Sequence, residues 1–455
     1  MKKLVILLFA VCAFIQSFAQ SSDALYNSIA DRTEWWRNDR FGMFIHFGLY
    51  SIPARGEWVR NAEKITNEDY QIYFDSFNPV DYNPAEWAKL AKAAGMKYAV
   101  MGVKHHEGFA MWDTKLSDYK ATNTPFGRDL IREFVDAFRA EGLKVGLYFS
   151  VIDWHHPDFP KYNDAHHPMS GNEAFKNEKI DWDNYLKFMH GQVRELTTQY
   201  GKLDIMWFDF SYGEMKNEKW KAKELVRMVR ENQPGIILNN RLLGDGAASD
   251  SYRLTEYGDF ETPEQGVPDA PLKDEKGRYI PWETCLTLNN SWGYNRNDQY
   301  WKTPQMVIHT LVNCVSKGGN LLLNVGPDAR GNIPRQSIAI LEEVGEWMQV
   351  NKESIYGCGI AAGFEKPEWG FMTQNGNKLY LHWTYPKIGH INMKGLGDKV
   401  KIVRLLRDGS EIEIEKSWWG DGGGNDNFYI NVNKPTYQSF PLPDGNDTVF
   451  EVELK

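Results

Sequence analysis

The chain has 455 residues, 42% of them hydrophobic, 25% charged and 14% aromatic, which excludes intrinsic disorder and fibrous or low-complexity architectures. Its formal net charge of −9 argues against a basic nucleic-acid-binding surface. Seventeen Trp and 22 Tyr offer flat faces for sugar C–H surfaces, but such residues also fill large cores, so composition leaves both readings open.

The N-terminus reads as a leader. Lys2 and Lys3, the apolar run Leu4–Phe14 and the small-x-small triplet Ser17-Phe18-Ala19 form the pattern of a cleaved signal peptide over residues 1–19. That implies a periplasmic or secreted protein. The apolar run falls short of the ~20 residues of a membrane-spanning helix, so no membrane span is expected. Cys12 lies in this leader, after Val11 rather than a small lipoprotein-type residue. Cys285, Cys314 and Cys358 allow at most one disulfide, and the first two sit in apolar, core-like runs.

From about residue 41 to 327, apolar runs alternate with helical patterns. Strands are predicted at Phe41–His46, Lys97–Val103, Lys144–Phe149, Leu203–Phe208, Ile236–Asn239, Leu254–Tyr257, Thr284–Leu288 and Asn320–Val325. They show little alternation, as strands buried on both faces do. Helices are predicted at Pro84–Ala93, Asp129–Glu141, Trp182–Tyr200, Glu218–Glu231, Pro304–Val315 and Arg335–Val350, with Gly142, Gly201 and Gly235 closing three of them. This is the pattern of an α/β fold, a (β/α)8-like TIM barrel. No Gly-x-Gly-x-x-Gly follows the first strand, which speaks against a dinucleotide fold. Beyond residue 357 the texture changes to short β runs between Gly, Asp and Asn turns, among them Lys378–Trp383, Lys399–Leu406, Glu411–Ile414 and Thr448–Leu454. They predict a small all-β sandwich. The expected division is a catalytic barrel over 20–356 and a β-sandwich over 357–455.

Such barrels place their chemistry at the C-terminal strand ends. Those ends carry His46, His105 with His106, Tyr148, Asp209, Arg241, the stretch Asp259-Phe260-Glu261-Thr262-Pro263-Glu264, Trp292 and Asn324. No Gly-x-Ser-x-Gly elbow or phosphate loop is among them. Two carboxylates among neutral donors and aromatic walls suit glycoside hydrolysis, where one attacks the anomeric carbon and the other protonates the leaving oxygen. Asp209 ends the most apolar strand, where a carboxylate is costly unless something uses it; capping the next segment is the alternative. Metal barrels usually space ligands as His-x-His so that both share a face, which the His105-His106 doublet does not do, and no metal is expected. His155-His156 and His166-His167 read as solvated loop residues. Arg55-Gly56-Glu57-Trp58 is either a surface turn or an acid and an indole at the barrel mouth.

These runs resemble the glycoside hydrolase family 29 α-L-fucosidases. The resemblance is carried by Arg40-Phe41-Gly42-Met43-Phe44-Ile45-His46, Gly56-Glu57-Trp58, Lys104-His105-His106-Glu107-Gly108-Phe109, Trp207-Phe208-Asp209, the stretch from Gly258 to Glu264, Ser291-Trp292-Gly293 and Gly318-Gly319-Asn320. It implies a retaining, exo-acting α-L-fucosidase that needs no cofactor and works through a covalent fucosyl-enzyme. It puts the nucleophile on Asp209 and the acid/base on Glu264, with Glu261 and Glu283 as nearby competitors. The fucose-holding set then falls on His46, Glu57, Trp58, His105, His106, Tyr148, Trp207, Arg241 and Trp292, the last near the fucose methyl. Pro281 stands where the family usually has Lys. The implied partner is a fucosylated oligosaccharide or glycoconjugate, and self-association is left open. Another exo-glycosidase, such as a β-galactosidase, is the nearest competing reading. A catalytically silent sugar-binding protein is the second, and it would have no need for both Asp209 and Glu264.

Overall fold

The computed structural model describes residues 23–244, 255–388, 391–415, 427–430, 439–440 and 444–455; the leader expected at 1–19 lies outside them. Seven strands pair in parallel: β1 (Phe41–Ile45), β2 (Tyr98–Lys104), β3 (Lys144–Ser150), β4 (Ile205–Asp209), β5 (Ile237–Leu238), β6 (Glu283–Thr287) and β7 (Asn320–Val325). Their order in the sheet is β5-β4-β3-β2-β1-β7-β6. Of the expected barrel, a parallel α/β sheet is what these pairings establish.

The strands are buried on both faces, and the two faces bury different residues. Met43, Met101, Leu147, Phe208 and Leu323 pack in the main core with the helices. Phe44, Tyr98, Val100, Tyr148, Ile205, Trp207, Cys285 and Leu322 form a second cluster on the opposite face. The period of two along a strand therefore places Asp209 with Ile205 and Trp207, and His46 with Phe44, at the C-terminal rim of that inner cluster. Glu283 shares the face but sits at the other end, as the first residue of β6. Close packing there needs Gly42, where a Cβ would meet the Tyr98 ring at 2.3 Å.

The edge strands β5 and β6 meet through segment 258–264. Asn239 pairs with Phe260, Glu261 with Trp282 and Glu264 with Cys285, each as an isolated parallel bridge. The strand predicted at Leu254–Tyr257 is not found. Leu254 lies outside the described residues, and Thr255 turns back onto Gly258. A Cβ at Gly258 would stand 2.6 Å from the Asn239 carbonyl oxygen, so the close approach that starts the segment needs glycine.

Helix boundaries follow local chemistry. Asn83, Asp129, Asp181 and Thr303 each cap a helix by accepting from a backbone N–H three residues on, and Pro84 and Pro304 occupy first-turn positions that lack an intrahelical partner anyway. The helix predicted from Glu218 starts at Ala222 because a 3-10 turn over Asn217–Trp220 and a left-handed Lys221 precede it. Gly142 and Gly201 adopt the left-handed conformation of helix-terminating glycines. Gly235 does not, since Gln233 already ends its helix ahead of Pro234.

Towards the C-terminus, a five-stranded antiparallel sheet orders Val400–Leu405, Thr448–Leu454, Lys378–Trp383, Gly370–Asn375 and Gly359–Ile360. A three-stranded sheet joins Ile391–Lys394, Asn427–Ile430 and Ile414–Glu415. Leu381 and Phe450 of the first share one core with Met393 and Phe428 of the second. Phe371, Tyr380 and Val449 belong instead to the main core, which ties these strands to helix Pro304–Ser316. Cys285, Cys314 and Cys358 are buried and unpaired. Among the described residues, no helix is long and apolar enough to cross a membrane.

Glu283 is a carboxylate fully buried in this interior. Its Oε2 accepts from Tyr98 and from Trp36 Nε1, while Oε1 is buried without a partner. Burial pushes its pKa up from 4.5 to about 7. The folded state therefore holds a proton that the unfolded chain releases, so this contribution to stability is full below pH 4.5 and is lost as pH rises through about 7. At ~1.4 kcal/mol per pKa unit the effect is about 3 kcal/mol at most. Thermal unfolding followed from pH 5 to 8 should show a falling midpoint in the wild type. Glu283→Gln, which mimics the protonated form, should fold and lessen that slope, to which buried Glu107 and Glu261 also contribute. An unchanged slope would refute the assignment.

Candidate active site

The C-terminal strand ends converge on a cavity of about 150 Å3. Ten of the eleven residues singled out from the sequence line it: His46, Trp58, His105, His106, Tyr148, Trp207, Asp209, Arg241, Glu264 and Trp292. The exception is Glu57, which is buried behind Trp292 and accepts from the Gly293 N–H at 2.8 Å. Burial raises its pKa.

Arg241 is the centre of the charge arrangement. Its Nη1 donates to Asp209 Oδ1 at 2.9 Å and its Nη2 to Glu264 Oε2 at 2.7 Å. Its Nε donates to Thr262 Oγ1 at 3.0 Å, and its guanidinium lies 4.6 Å above the Trp207 ring. Burial works against this charge, but Asp209 and Glu264 outweigh it and hold the guanidinium above its ordinary pKa. The second Asp209 oxygen accepts from the Tyr148 hydroxyl at 2.6 Å, and burial raises the pKa of that phenol well above its usual value. Asp209 thus caps no helix; both oxygens are fixed by donors and the carboxylate faces the cavity.

The three candidate acids part company here. Glu264 shares the cavity with Asp209. Glu261, only three residues away, is 5% exposed and bound by the Asn240 amide, and burial lifts its pKa to about 7. Its backbone is stitched between Pro281 and Glu283, and its side chain does not line the cavity. Glu283 lies at the far end of the inner cluster, beneath Trp207 and Cys285.

The histidines are held as neutral rings. Burial lowers His46 to about 4, and its Nδ1 pairs with Asn324 Oδ1 at 2.7 Å. Asn324 also donates to the Trp292 carbonyl at 2.7 Å, so one amide fixes both cavity walls. Burial lowers His105 and His106 well below their ordinary range. His105 stacks on Tyr148 with ring centroids 5.7 Å apart, and His106 Nδ1 pairs with Ser150 Oγ at 2.8 Å. His105 Nδ1 is buried without a partner. Among the described residues, no group of three His, Cys, Asp or Glu side chains is placed to hold a metal ion.

One reading of the loops is corrected, and an alternative left open at Arg55–Trp58 narrows. His155 stacks flat on Tyr119 at 3.8 Å, and His167 is 1% exposed and pairs with the Trp154 carbonyl, so these doublets pack rather than decorate solvent. Arg55-Gly56-Glu57-Trp58 is no plain surface turn, since Trp58 packs edge-on against His106 with ring centroids 5.1 Å apart. The sequence reading passed over Phe210, which lines the cavity with a left-handed φ of 79°. A β-type residue after Asp209 gives no sign of that turn. It also passed over Ser150, which holds His106, and gave no role to Thr262, which holds Arg241; polar side chains on the rim face were the available signal.

Comparison with known proteins agrees with this geometry. The profile of the alpha-L-fucosidase family matches residues 13–353. Among solved structures, alpha-L-fucosidase isoenzyme 1 from Paenibacillus thiaminolyticus is 56% identical, with a TM-score of 0.88 over 94% of this chain and 99% of that one. A family GH29 alpha-L-fucosidase from Bacteroides thetaiotaomicron, solved as a trapped covalent intermediate with 2-fluoro-fucosyl fluoride, is 31% identical, with a TM-score of 0.80 over 93% and 96%. The alpha-L-fucosidase of Dictyostelium discoideum is 30% identical over 354 residues, 71% of each chain. The profile match over residues 13–353 and a fold shared over 93–94% of the chain with the two solved enzymes place the chain in the alpha-L-fucosidase family.

Proposed function

We propose that the protein removes terminal α-L-fucose from glycans with retention, Asp209 acting as nucleophile and Glu264 as acid/base. The observation that carries these roles is the bridge Asp209–Arg241–Glu264 within one small cavity. At about 150 Å3 that cavity is well below the ~300 Å3 of the smallest drug-sized pockets and fits a single ring, which favours exo action. Neutral His46, His105 and His106 hydrogen-bond the sugar hydroxyls, and Trp292 with Phe44 gives an apolar wall to the fucose methyl. That wall speaks against galactose, which carries a hydroxymethyl there.

Asp209 attacks the anomeric carbon and forms a β-fucosyl ester while Glu264 gives its proton to the leaving oxygen. Glu264 must release Arg241 to do so, which leaves the guanidinium on Asp209. Glu264 then takes a proton from the water that opens the ester, and α-L-fucose leaves. We also read segment 258–264 as the eighth stave of a closed barrel spanning residues 20–356, with 357–455 as a β-sandwich unit. Residues 1–19 are read as an export signal, so N-terminal sequencing of the exported protein should begin at Gln20; an intact Met1 would contradict this.

Asp209→Ala should lower turnover of an aryl fucoside by ~10³-fold or more, since each ~1.4 kcal/mol of barrier is tenfold in rate. Activity within tenfold of wild type would remove Asp209 from the nucleophile's role. Glu264→Ala should impair poor leaving groups far more than activated aryl fucosides, because only the former need a proton on departure. Azide should rescue this variant by opening the Asp209 ester, and two displacements then give the α-fucosyl azide. Rescue of Asp209→Gly, by a single displacement, should give the β-azide instead. Azide rescue of Glu261→Ala or Glu283→Ala would shift the acid/base to that residue.

A further inference from the structure

A second cavity, of about 560 Å3, shares Trp292 with the first as a common wall. It lies between segment 288–301, after β6, and segment 326–338, after β7. Strand β6 links the two sites: Cys285 lines the small cavity and pairs with Glu264, and Leu288 and Asn289, just past the strand end, line the large one. The large cavity thus adjoins the small one at Trp292.

Its charge is unbalanced. Arg296 and Arg335 line it, and neither guanidinium meets a carboxylate among the described residues. Asp328, the one carboxylate among the described lining residues, is taken up by the N–H groups of Arg330 and Asn332. Helix Arg335–Asn351 begins at this wall, and its N-cap, Pro334, offers no side-chain acceptor. Its first N–H groups and the positive end of its dipole therefore add to the two arginines. Ser337, 2% exposed, lines the same wall, and its hydroxyl has no hydrogen-bond partner among the described residues. Trp301 lines the cavity, with its indole Nε1 buried and unpartnered, and gives a ring face for a sugar.

We propose that this cavity holds the sugar next to fucose in the substrate, and that it selects a sugar bearing an anionic group, a sulfate ester or a carboxylate. The proposal rests on the fucosidase reading above. The test compares kcat/KM on an aryl fucoside, a neutral fucosyl oligosaccharide, and the same oligosaccharide carrying either a sulfate or a carboxylate beside the fucose. Wild type should favour an acidic oligosaccharide over the neutral one by about tenfold, the worth of one charge-assisted contact, and added salt should erode that margin. The double variant Arg296→Gln/Arg335→Gln should lose the preference while its aryl-fucoside turnover, which also reports folding, stays within twofold. The stronger acidic arm identifies the group. Equal kcat/KM on acidic and neutral glycans, or a preference that survives the double variant, would overturn the proposal. Failure to release fucose even from the aryl fucoside would overturn the fucosidase reading instead.

Discussion

Arg241 carries a positive charge buried to 5% exposure, with a carboxylate on each terminal nitrogen and the Trp207 ring beneath it. Each buried ion of this kind costs several kcal/mol in lost hydration, and only mutual pairing with full hydrogen bonding makes the group tolerable. Thr262 and Tyr148 complete that pairing. The same arrangement sets the distance between the two carboxylates that share the cavity. Asp209 comes from β4, Arg241 follows β5, and Glu264 comes from the segment leading to β6. The charge cluster therefore fixes the ends of β4, β5 and segment 258–264 at once, and His46, His105 and His106, just past β1 and β2, line the same cavity.

Within each strand, the period of two decides which residues reach this cluster. Phe44, Tyr148, Trp207 and Cys285 floor the site, and the residues one step further along the same face, His46 and Asp209, become its rim. Glu283 and Tyr98 hold the opposite end of that face. The carboxylate of Glu283, at one end of the inner cluster, is held by Tyr98 and Trp36, and that of Asp209, at the other end, faces the cavity. Position along the strand separates the two roles.

Much of this was legible in the residues. The buried strands were plain because their apolar runs are long and uninterrupted, and Pro84 and Pro304 marked helix starts by chemistry that needs no tertiary context. The rim residues followed from strand ends alone. What failed did so for tertiary reasons. Segment 258–264 joins the sheet through single bridges and carries more polar than apolar residues, so its strand was placed earlier, at the apolar-looking Leu254–Tyr257. Lys221 and Phe210 break regular structure with left-handed conformations that no propensity assigns to them. His155 and His167 looked solvated among prolines and polar residues, yet they fill gaps between aromatic side chains. That one oxygen of Glu57 accepts from the Gly293 N–H is likewise a tertiary contact without a local sign in the sequence.

The account turns on Asp209 forming a bond to the sugar. Incubation of the intact enzyme with 2-deoxy-2-fluoro-fucosyl fluoride, followed by proteolysis and mass spectrometry of the labelled peptide, reads that bond directly. A single fluorofucosyl adduct on the Asp209 carboxylate is the predicted result. Label on Glu264, Glu261 or Glu283, or release of fucose from substrates with no adduct trapped on any carboxylate, would contradict it.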